Sequence, residues 1–204
     1  MNEQALLAVS EYPLHESCVF KKVKEEFGGF SNMSNAYKVR VNGIQMHNTE
    51  ALYQAFRFPH LINAQLEIIK PPSGMVSKMI SKHYRSQTRA DWDAVRIDIM
   101  RWCIWVKLAQ NWVGFGNLLE STGDRAIVEH SHKDPFWGAL LTGSGTLRGQ
   151  NVLGKLLMAL RDEYRHGSEE SRQALRTVEP LAIEQFLLLG QPIASVSRDV
   201  RKAA

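Results

Sequence analysis

The chain has 204 residues, 44% of them hydrophobic, and a formal net charge of +4, which suffices for one buried core and requires no more than one globular domain with appendages. No run approaches eighteen apolar residues, and the opening MNEQALLAVSEYPLHES lacks the basic start and apolar region of a secretory signal, so a soluble, unexported, cytoplasmic protein without membrane contact is expected. Cys18 and Cys103 make neither a disulfide framework nor a zinc ligand set, and the mild positive charge admits a polyanionic partner without demanding one.

Residues 1 to about 18 show no clear periodicity and read as a loose lead-in, followed by a short strand over Val19–Val23 and a turn rich in small residues from Gly28 to Asn35. Val39, Val41 and Ile44 alternate with polar neighbours around Asn42-Gly43, which predicts a hairpin. Asn48 or Thr49 then caps a helix that stops before Pro59. In it Glu50, Tyr53, Gln54 and Arg57 stand at i, i+3, i+4 and i+7, which places an acid, a phenol, an amide and a guanidinium on one face. A solvated face and a functional face are both open readings of that spacing. Pro71-Pro72 separates two further short helices. Thr88 to Asp91 resembles a capping box with Asp in place of Glu, and the longest helix follows through Trp92, Val95, Ile99, Cys103 and Val106, with Lys107 near its C-terminal end. The basic residues Lys78, Lys82, Arg85, Arg89, Arg96 and Arg101 suit either a solvated face or a nucleic-acid contact.

Gly114 and Gly116 break the helical pattern, a short helix covers Asn117–Ser121, and Ala126–Val128 reads as a buried strand. Val152–Tyr164 is helical with Leu153, Leu156, Leu157 and Leu160 facing inward. One further helix is expected over Ser171–Gly190, with frayed residues after it. The lead-in (1–24), a central domain (25–164) and a helical extension (165–204) are the expected divisions.

The richest stretch is Ile127–Arg161, for which three chemistries compete. His130, His132 and Asp134 form an H-x-H-x-D pattern that suits zinc or iron, but no other histidine supplies an obvious fourth ligand, so no metal and no cofactor are expected. Gly143-Ser-Gly145 to Gly149-Gln-Asn151 before a helix suits a diphosphate or ribose cradle, although the features of ATPase and Rossmann loops are absent. Glu50, Glu129 and Asp134 supply the carboxyl groups that cleavage of a ribosyl C1–N bond needs: stabilisation of an oxocarbenium ion, protonation of the leaving nitrogen and direction of water.

Four motifs in order decide among these. Gly29-Phe-Ser-Asn32, Thr49-Glu-Ala-Leu-Tyr-Gln-Ala-Phe-Arg-Phe58, Asp91-Trp92 through Met100 to Lys107, and Val128-Glu129 with Asp134-Pro-Phe-Trp-Gly138 to Gly149-Gln-Asn151-Val-Leu-Gly154 resemble the NADAR family, associated with NAD and ADP-ribose metabolism. The resemblance spans roughly Glu25–Tyr164. It implies an α+β, mainly α fold with a small β-sheet and a long core-crossing helix, and metal-independent N-glycosidase activity on ribosylated amines. Some members act on phosphorylated riboflavin-pathway intermediates. Others are antitoxins that remove ADP-ribose from guanine in DNA and are paired with a DarT-type toxin.

Carried over by position, the resemblance implies Glu50 and Asp134 as catalytic carboxyls. It implies Asn32, Tyr53, Gln54, Arg57, Trp92, Glu129, Trp137, Gly138, Gly149 and Asn151 as substrate-binding. The helix face at Glu50 is then expected to form the wall opposite the Glu129–Asn151 segment. Arg57 stands where the family usually has Lys, so no amine chemistry transfers to it, and Pro71–Lys82 departs from the family pattern. ADP-ribosylated guanine in DNA, preferably single-stranded, is the expected substrate, because a base must leave a duplex to enter a pocket. ADP-ribose is the product, and a DarT-type toxin is an expected partner. Attack by Lys107 on an opened ribose as a Schiff base is the alternative mechanism, and a non-catalytic ADP-ribose-binding module is the alternative function.

Overall fold

The computed structural model describes residues 3–143 and 145–198. In chain order it runs α1 (Glu3–Leu7), β1 (Ser10–Pro13), β2 (Ser17–Phe20), β3 (Val39–Val41), β4 (Ile44–Met46), α2 (Thr49–Ala55), α3 (Ile62–Ile69), α4 (Gly74–His83), α5 (Trp92–Gln110) and α6 (Trp112–Ser121). It continues through β5 (Ala126–Glu129), β6 (Leu140–Leu141), β7 (Thr146–Gly149), α7 (Val152–His166), α8 (Glu169–Arg176), β8 (Thr177–Val178), β9 (Leu187–Leu188), β10 (Gln191–Pro192) and β11 (Val196–Ser197). The α+β, mainly helical class stands. Among the described residues the strands form several separate small sheets instead of one. The chain divides into two compact units, Met1–Ser31 with Gly116–Ser168 and Asn32–Phe115 with Glu169–Ala204.

In the first unit β2 pairs in parallel with β5, Phe20 opposite Glu129, and β1 and β6 flank β7 in an antiparallel sheet. The strand expected at Val19–Val23 therefore lies earlier, at Ser17–Phe20, because its alternating inward residues are Cys18 and Phe20. The expected lead-in contains α1 and β1. Their apolar Leu6 and Tyr12 are buried, and the Lys155 ammonium caps α1 by donating to the carbonyls of Ala5 (3.0 Å), Leu6 (3.2 Å) and Ala8 (2.5 Å). Tyr12, Val128, Ala139 and Leu147 form its core under the sheet.

In the second unit Asn42 (φ 49°) and Gly43 (φ 78°) make the β3–β4 turn, the left-handed pair that a two-residue hairpin requires. The Asn48 side chain caps α2 by accepting from the Ala51 amide at 3.0 Å. Ser73 accepts from Val76 at 3.4 Å and starts α4 after the Pro71-Pro72 break. The expected capping box at Thr88–Asp91 does not form. The Asp91 carboxylate binds Arg89 instead, Nε at 2.6 Å and Nη2 at 2.9 Å, a charge-assisted pair that outcompetes a backbone amide. α5 crosses the core, with Trp102 packed edge-on against Phe56 and Phe186 at ring separations of 5.5 and 5.0 Å.

Two helical expectations fail. Gly114 and Gly116 do not break α6, which runs through both. A Cβ at Gly114 would lie 3.4 Å from the Tyr37 ring, and one at Gly116 would lie 2.5 Å from the Tyr164 hydroxyl, so these glycines allow close packing. The helix expected over Ser171–Gly190 ends at Arg176, and the residues after it form short strands paired β8–β11 and β9–β10. Of the apolar residues behind that expectation, Leu175 is buried on α8 and Phe186 is buried just ahead of β9. Of the residues expected to fray after Gly190, 191–198 carry β10 and β11, and 199–204 lie outside the described residues. No described helix is long and apolar enough to cross a membrane.

Candidate active site

The polar face of α2 is not a solvated one. Glu50, Tyr53 and Gln54 are 6%, 4% and 4% exposed, and the polar atoms of Glu50 and Gln54 belong to a connected chain. Gln54 Nε2 donates to Glu50 Oε1 at 2.9 Å, one helical turn apart. Ser81 of α4 donates to Gln54 Oε1 at 2.8 Å, which Arg57 Nη1 also approaches at 3.4 Å. Arg57 Nη2 donates to the Thr88 hydroxyl at 3.2 Å, and the buried Arg57 Nε has no hydrogen-bond partner among the described residues.

Burial pushes the Glu50 carboxyl above its ordinary range, against the opposing pull of the Lys78 charge, the Gln54 hydrogen bond and Arg57. Burial and the neighbouring Glu50 push the Tyr53 phenol well up. Burial, with Glu50 again nearby, does the same to the Cys103 thiol. A buried carboxyl whose proton is held more tightly than usual can deliver that proton near neutral pH, as a general acid must.

Aromatic rings bound the same cluster. The Tyr53 and Trp92 rings lie 5.2 Å apart, and the Arg57 guanidinium stacks over Trp92 at 5.0 Å. Asn32 reaches α2 through its carbonyl, which accepts from the Glu50 amide at 2.8 Å. Its Nδ2 donates to the Met100 sulfur at 2.9 Å, and its buried Oδ1 has no partner among the described residues. Asn32, Glu50, Tyr53, Gln54, Arg57 and Trp92 thus gather within the second unit as one constellation. Ser81 and Thr88 join it without having been foreseen. The signal for Ser81 was available: Ser73, Ser77 and Ser81 recur at i, i+4 and i+8 of α4 and mark a small polar stripe.

Lys107 is fully buried on α5, its Nζ 4.6 Å from the Phe115 ring centroid and 5.4 Å from that of Tyr37. Burial lowers its pKa to about 7. A groove of about 570 Å³ is lined by His60, Thr88, Arg89, Asp91 and Gln185, with Glu50, Tyr53, Gln54 and Trp92 absent from its lining.

The first unit holds the remaining predicted residues. Asp134 Oδ1 accepts from the amides of Phe136 and Trp137, both at 3.0 Å, which fixes the turn that presents the edge-to-face Phe136–Trp137 pair. Asn151, fully buried at φ 51°, clasps β5: its Nδ2 donates to the Ile127 carbonyl at 2.9 Å, and its Oδ1 accepts from the Glu129 amide at 3.1 Å. Gly138 and Gly149 are sites of close backbone approach, since a Cβ at either would lie 2.5 Å from a carbonyl oxygen, of Glu129 and Gly138 respectively.

The anion cradle expected at Gly143–Asn151 does not form. Ser144 lies outside the described residues, but Thr146–Gly149 is a strand. The amides that lead into α7 are already bonded: Gln150 to Pro135, Asn151 to Gly138, Val152 to Phe136 and Leu153 to Trp137, at 2.7–3.1 Å. The strand displaces the loop because Leu147 buries into the core of that sheet. The His130 and His132 rings are 5.7 Å apart, and among the described residues no three His, Cys, Asp or Glu side chains gather as metal ligands would.

Comparison with known proteins follows the same lines. The chain is 30% identical over 144 residues to N-glycosidase YbiA of Escherichia coli (strain K12), covering 71% of this chain and 86% of that one. It is 31% identical over 149 residues to an N-glycosidase of Nostoc punctiforme, covering 72% and 92%. It is also 30% identical over 155 residues to a riboflavin biosynthesis protein of Vibrio vulnificus, of which it spans 39%. The solution NMR structure of E. coli YbiA superposes with a TM-score of 0.61 at 28% identity, covering 72% of this chain and 84% of that one. Residues 19–165 match the profile described as the NADAR domain, and with that span and these relatives the chain belongs to the NADAR domain family.

Proposed function

We propose that the protein is an N-glycosidase that removes ADP-ribose from guanine bases in DNA, acting as an antitoxin to a DNA ADP-ribosyltransferase of the DarT type. The observation that carries the glycosidase reading is the buried Glu50 carboxyl, held by Gln54 and raised by burial, beside the Tyr53–Trp92–Arg57 stack. In the reaction the ribose C1–N bond breaks and its electron pair stays on the guanine nitrogen, which takes a proton. Water then adds to the oxocarbenium carbon to give free ADP-ribose. Glu50 is the proton-handling group. Asp134, in the first unit, remains a candidate from the family resemblance, and the stacked Trp92 and Tyr53 offer faces to a planar base.

Support for DNA comes from charge. No acid occurs between Ile68 and Ala90, a stretch that carries Lys70, Lys78, Lys82, Arg85 and Arg89. Arg89, Arg96 and Arg101 are paired with Asp91, Asp93 and Asp98, so the charge best placed for a phosphate backbone is at the exposed Lys82 and Arg85. A second reading, an N-glycosidase of phosphoribosylamino riboflavin-pathway intermediates, is favoured by the name of the Vibrio relative. Glu50→Gln separates catalysis from binding. Product release is expected to vanish while ADP-ribose binding by calorimetry persists; retained release would overturn the role of Glu50.

A further inference from the structure

We propose that Ser81 is a positioning residue that lets the Gln54 amide serve Glu50 in both of its protonation states. The inference rests on the reading of Glu50 as the group that exchanges a proton in the reaction. A carboxylate only accepts hydrogen bonds, whereas a carboxylic acid donates one. A side chain that can both donate and accept is therefore able to serve the carboxylate as a donor and the hydroxyl of the acid as an acceptor.

Gln54 has both capacities, one at each end of its amide. With its nitrogen toward Glu50 (2.9 Å) and its oxygen toward Ser81 (2.8 Å), it suits the carboxylate, and Ser81 donates. Exchanging the two ends suits the carboxylic acid: Glu50 donates to the Gln54 oxygen, and the Gln54 nitrogen donates to Ser81 Oγ. The Ser81 hydrogen then needs a new acceptor, and one is in place. Ser81 Oγ lies 2.9 Å from the Lys78 carbonyl, nearly the same distance as from Gln54. A hydroxyl has one hydrogen, so these two bonds are alternatives, one for each state.

Charged and titratable groups around Glu50 bias the switch without replacing it. Lys78 from α4 and Arg57 from the end of α2 favour the anion, and Arg57 Nη1 also favours the amide orientation that goes with it. Tyr53 and Cys103 also lie within electrostatic reach of Glu50. Without the Ser81 hydroxyl the anion arrangement keeps Arg57 as a donor to the Gln54 oxygen. The acid arrangement leaves the buried amide nitrogen with no acceptor. Loss of the hydroxyl therefore penalises the protonated state more.

The test is a titration of the Glu50 side-chain carboxyl carbon by NMR of protein labelled at glutamate, the resonance being assigned by its absence in Glu50→Gln. Ser81→Ala is expected to lower the midpoint by about one pH unit, the size of one buried hydrogen bond. Ser81→Thr, which keeps the hydroxyl, should restore the wild-type midpoint. Ser81→Cys keeps the volume with a weaker donor and should give an intermediate shift, so the reading does not depend on the alanine variant alone. An unchanged or raised midpoint in Ser81→Ala, or a Ser81→Thr midpoint that moves with it, would overturn the proposal. The midpoint is read without turnover, so its outcome is separate from whether any particular substrate is cleaved.

Discussion

Gln54 Nε2 donates to Glu50 Oε1 at 2.9 Å with both side chains buried, which makes the Glu50 carboxyl the best-defined titrating group of the proposed site. Glu50→Gln keeps the shape and removes the proton chemistry, so turnover should fall by at least about a hundredfold, the usual contribution of a general acid or base. The stability effect has the opposite sign. A carboxyl whose folded-state pKa is raised above 4.5 contributes stability at low pH that is lost as pH rises through the folded value. Glu50→Gln should therefore melt a few degrees above wild type at pH 7, and the difference should shrink toward pH 4. Thermal melts across that range would show this, and a variant that melts lower at pH 7 would contradict it.

Lys107 gives a second pH signature. Its pKa falls from 10.5 to about 7 on burial, so the unfolded chain binds the extra proton between those values, and stability should rise as pH increases from about 7 to about 10.5. The shift bounds the effect at roughly 5 kcal/mol. Lys107→Met should raise the melting temperature at pH 7 and flatten the rise, as a denaturant series at pH 7, 8 and 9 would reveal.

The fully buried Lys107 also bears on mechanism. The hydrolytic route through Glu50 predicts that borohydride added during turnover traps no adduct, read by mass spectrometry of the intact protein. A trapped sugar on Lys107 would move the chemistry to a Schiff base.

Asp134 binds two backbone amides through one oxygen, a role that an Asn side chain can also fill. Asp134→Asn should therefore fold with a melting temperature close to wild type, while losing tenfold or more in turnover if its carboxylate takes part in the reaction. Turnover equal to wild type would confine Asp134 to holding the Phe136–Trp137 turn.

Gly154 abuts the Asn151 clasp: a Cβ there would lie 2.1 Å from the Ile127 carbonyl and 2.4 Å from the Asn151 amide. Gly154→Ala should cost about 2 to 4 kcal/mol, since both neighbours are rigid and buried. Urea unfolding would measure it, and a loss below about 1 kcal/mol would show that the clasp can shift.

Much of this was legible from sequence where local rules govern. Asn42-Gly43, the Asn48 cap and the α5 periodicity each act within a few residues, and each gave the observed element. The α2 constellation was legible as a spacing, while its burial was not, because burial depends on what packs over the face. Ser81 reaches Gln54 from 27 residues away. The glycine-rich run suited an anion loop by composition, and composition alone cannot tell such a loop from the close backbone contacts that Gly138 and Gly149 make. The capping box failed for a similar reason: Arg89 competes for Asp91.

The most direct test of the proposed function is a side-by-side assay of the purified protein on a single-stranded oligonucleotide carrying ADP-ribosylated guanine and on a phosphoribosylamino riboflavin-pathway intermediate, with products identified by mass spectrometry. Release of free ADP-ribose with regeneration of intact guanine is expected, at a rate that declines as salt rises, with loss of both in Glu50→Gln. Turnover of the riboflavin-pathway compound with no release from the oligonucleotide would contradict the proposed function.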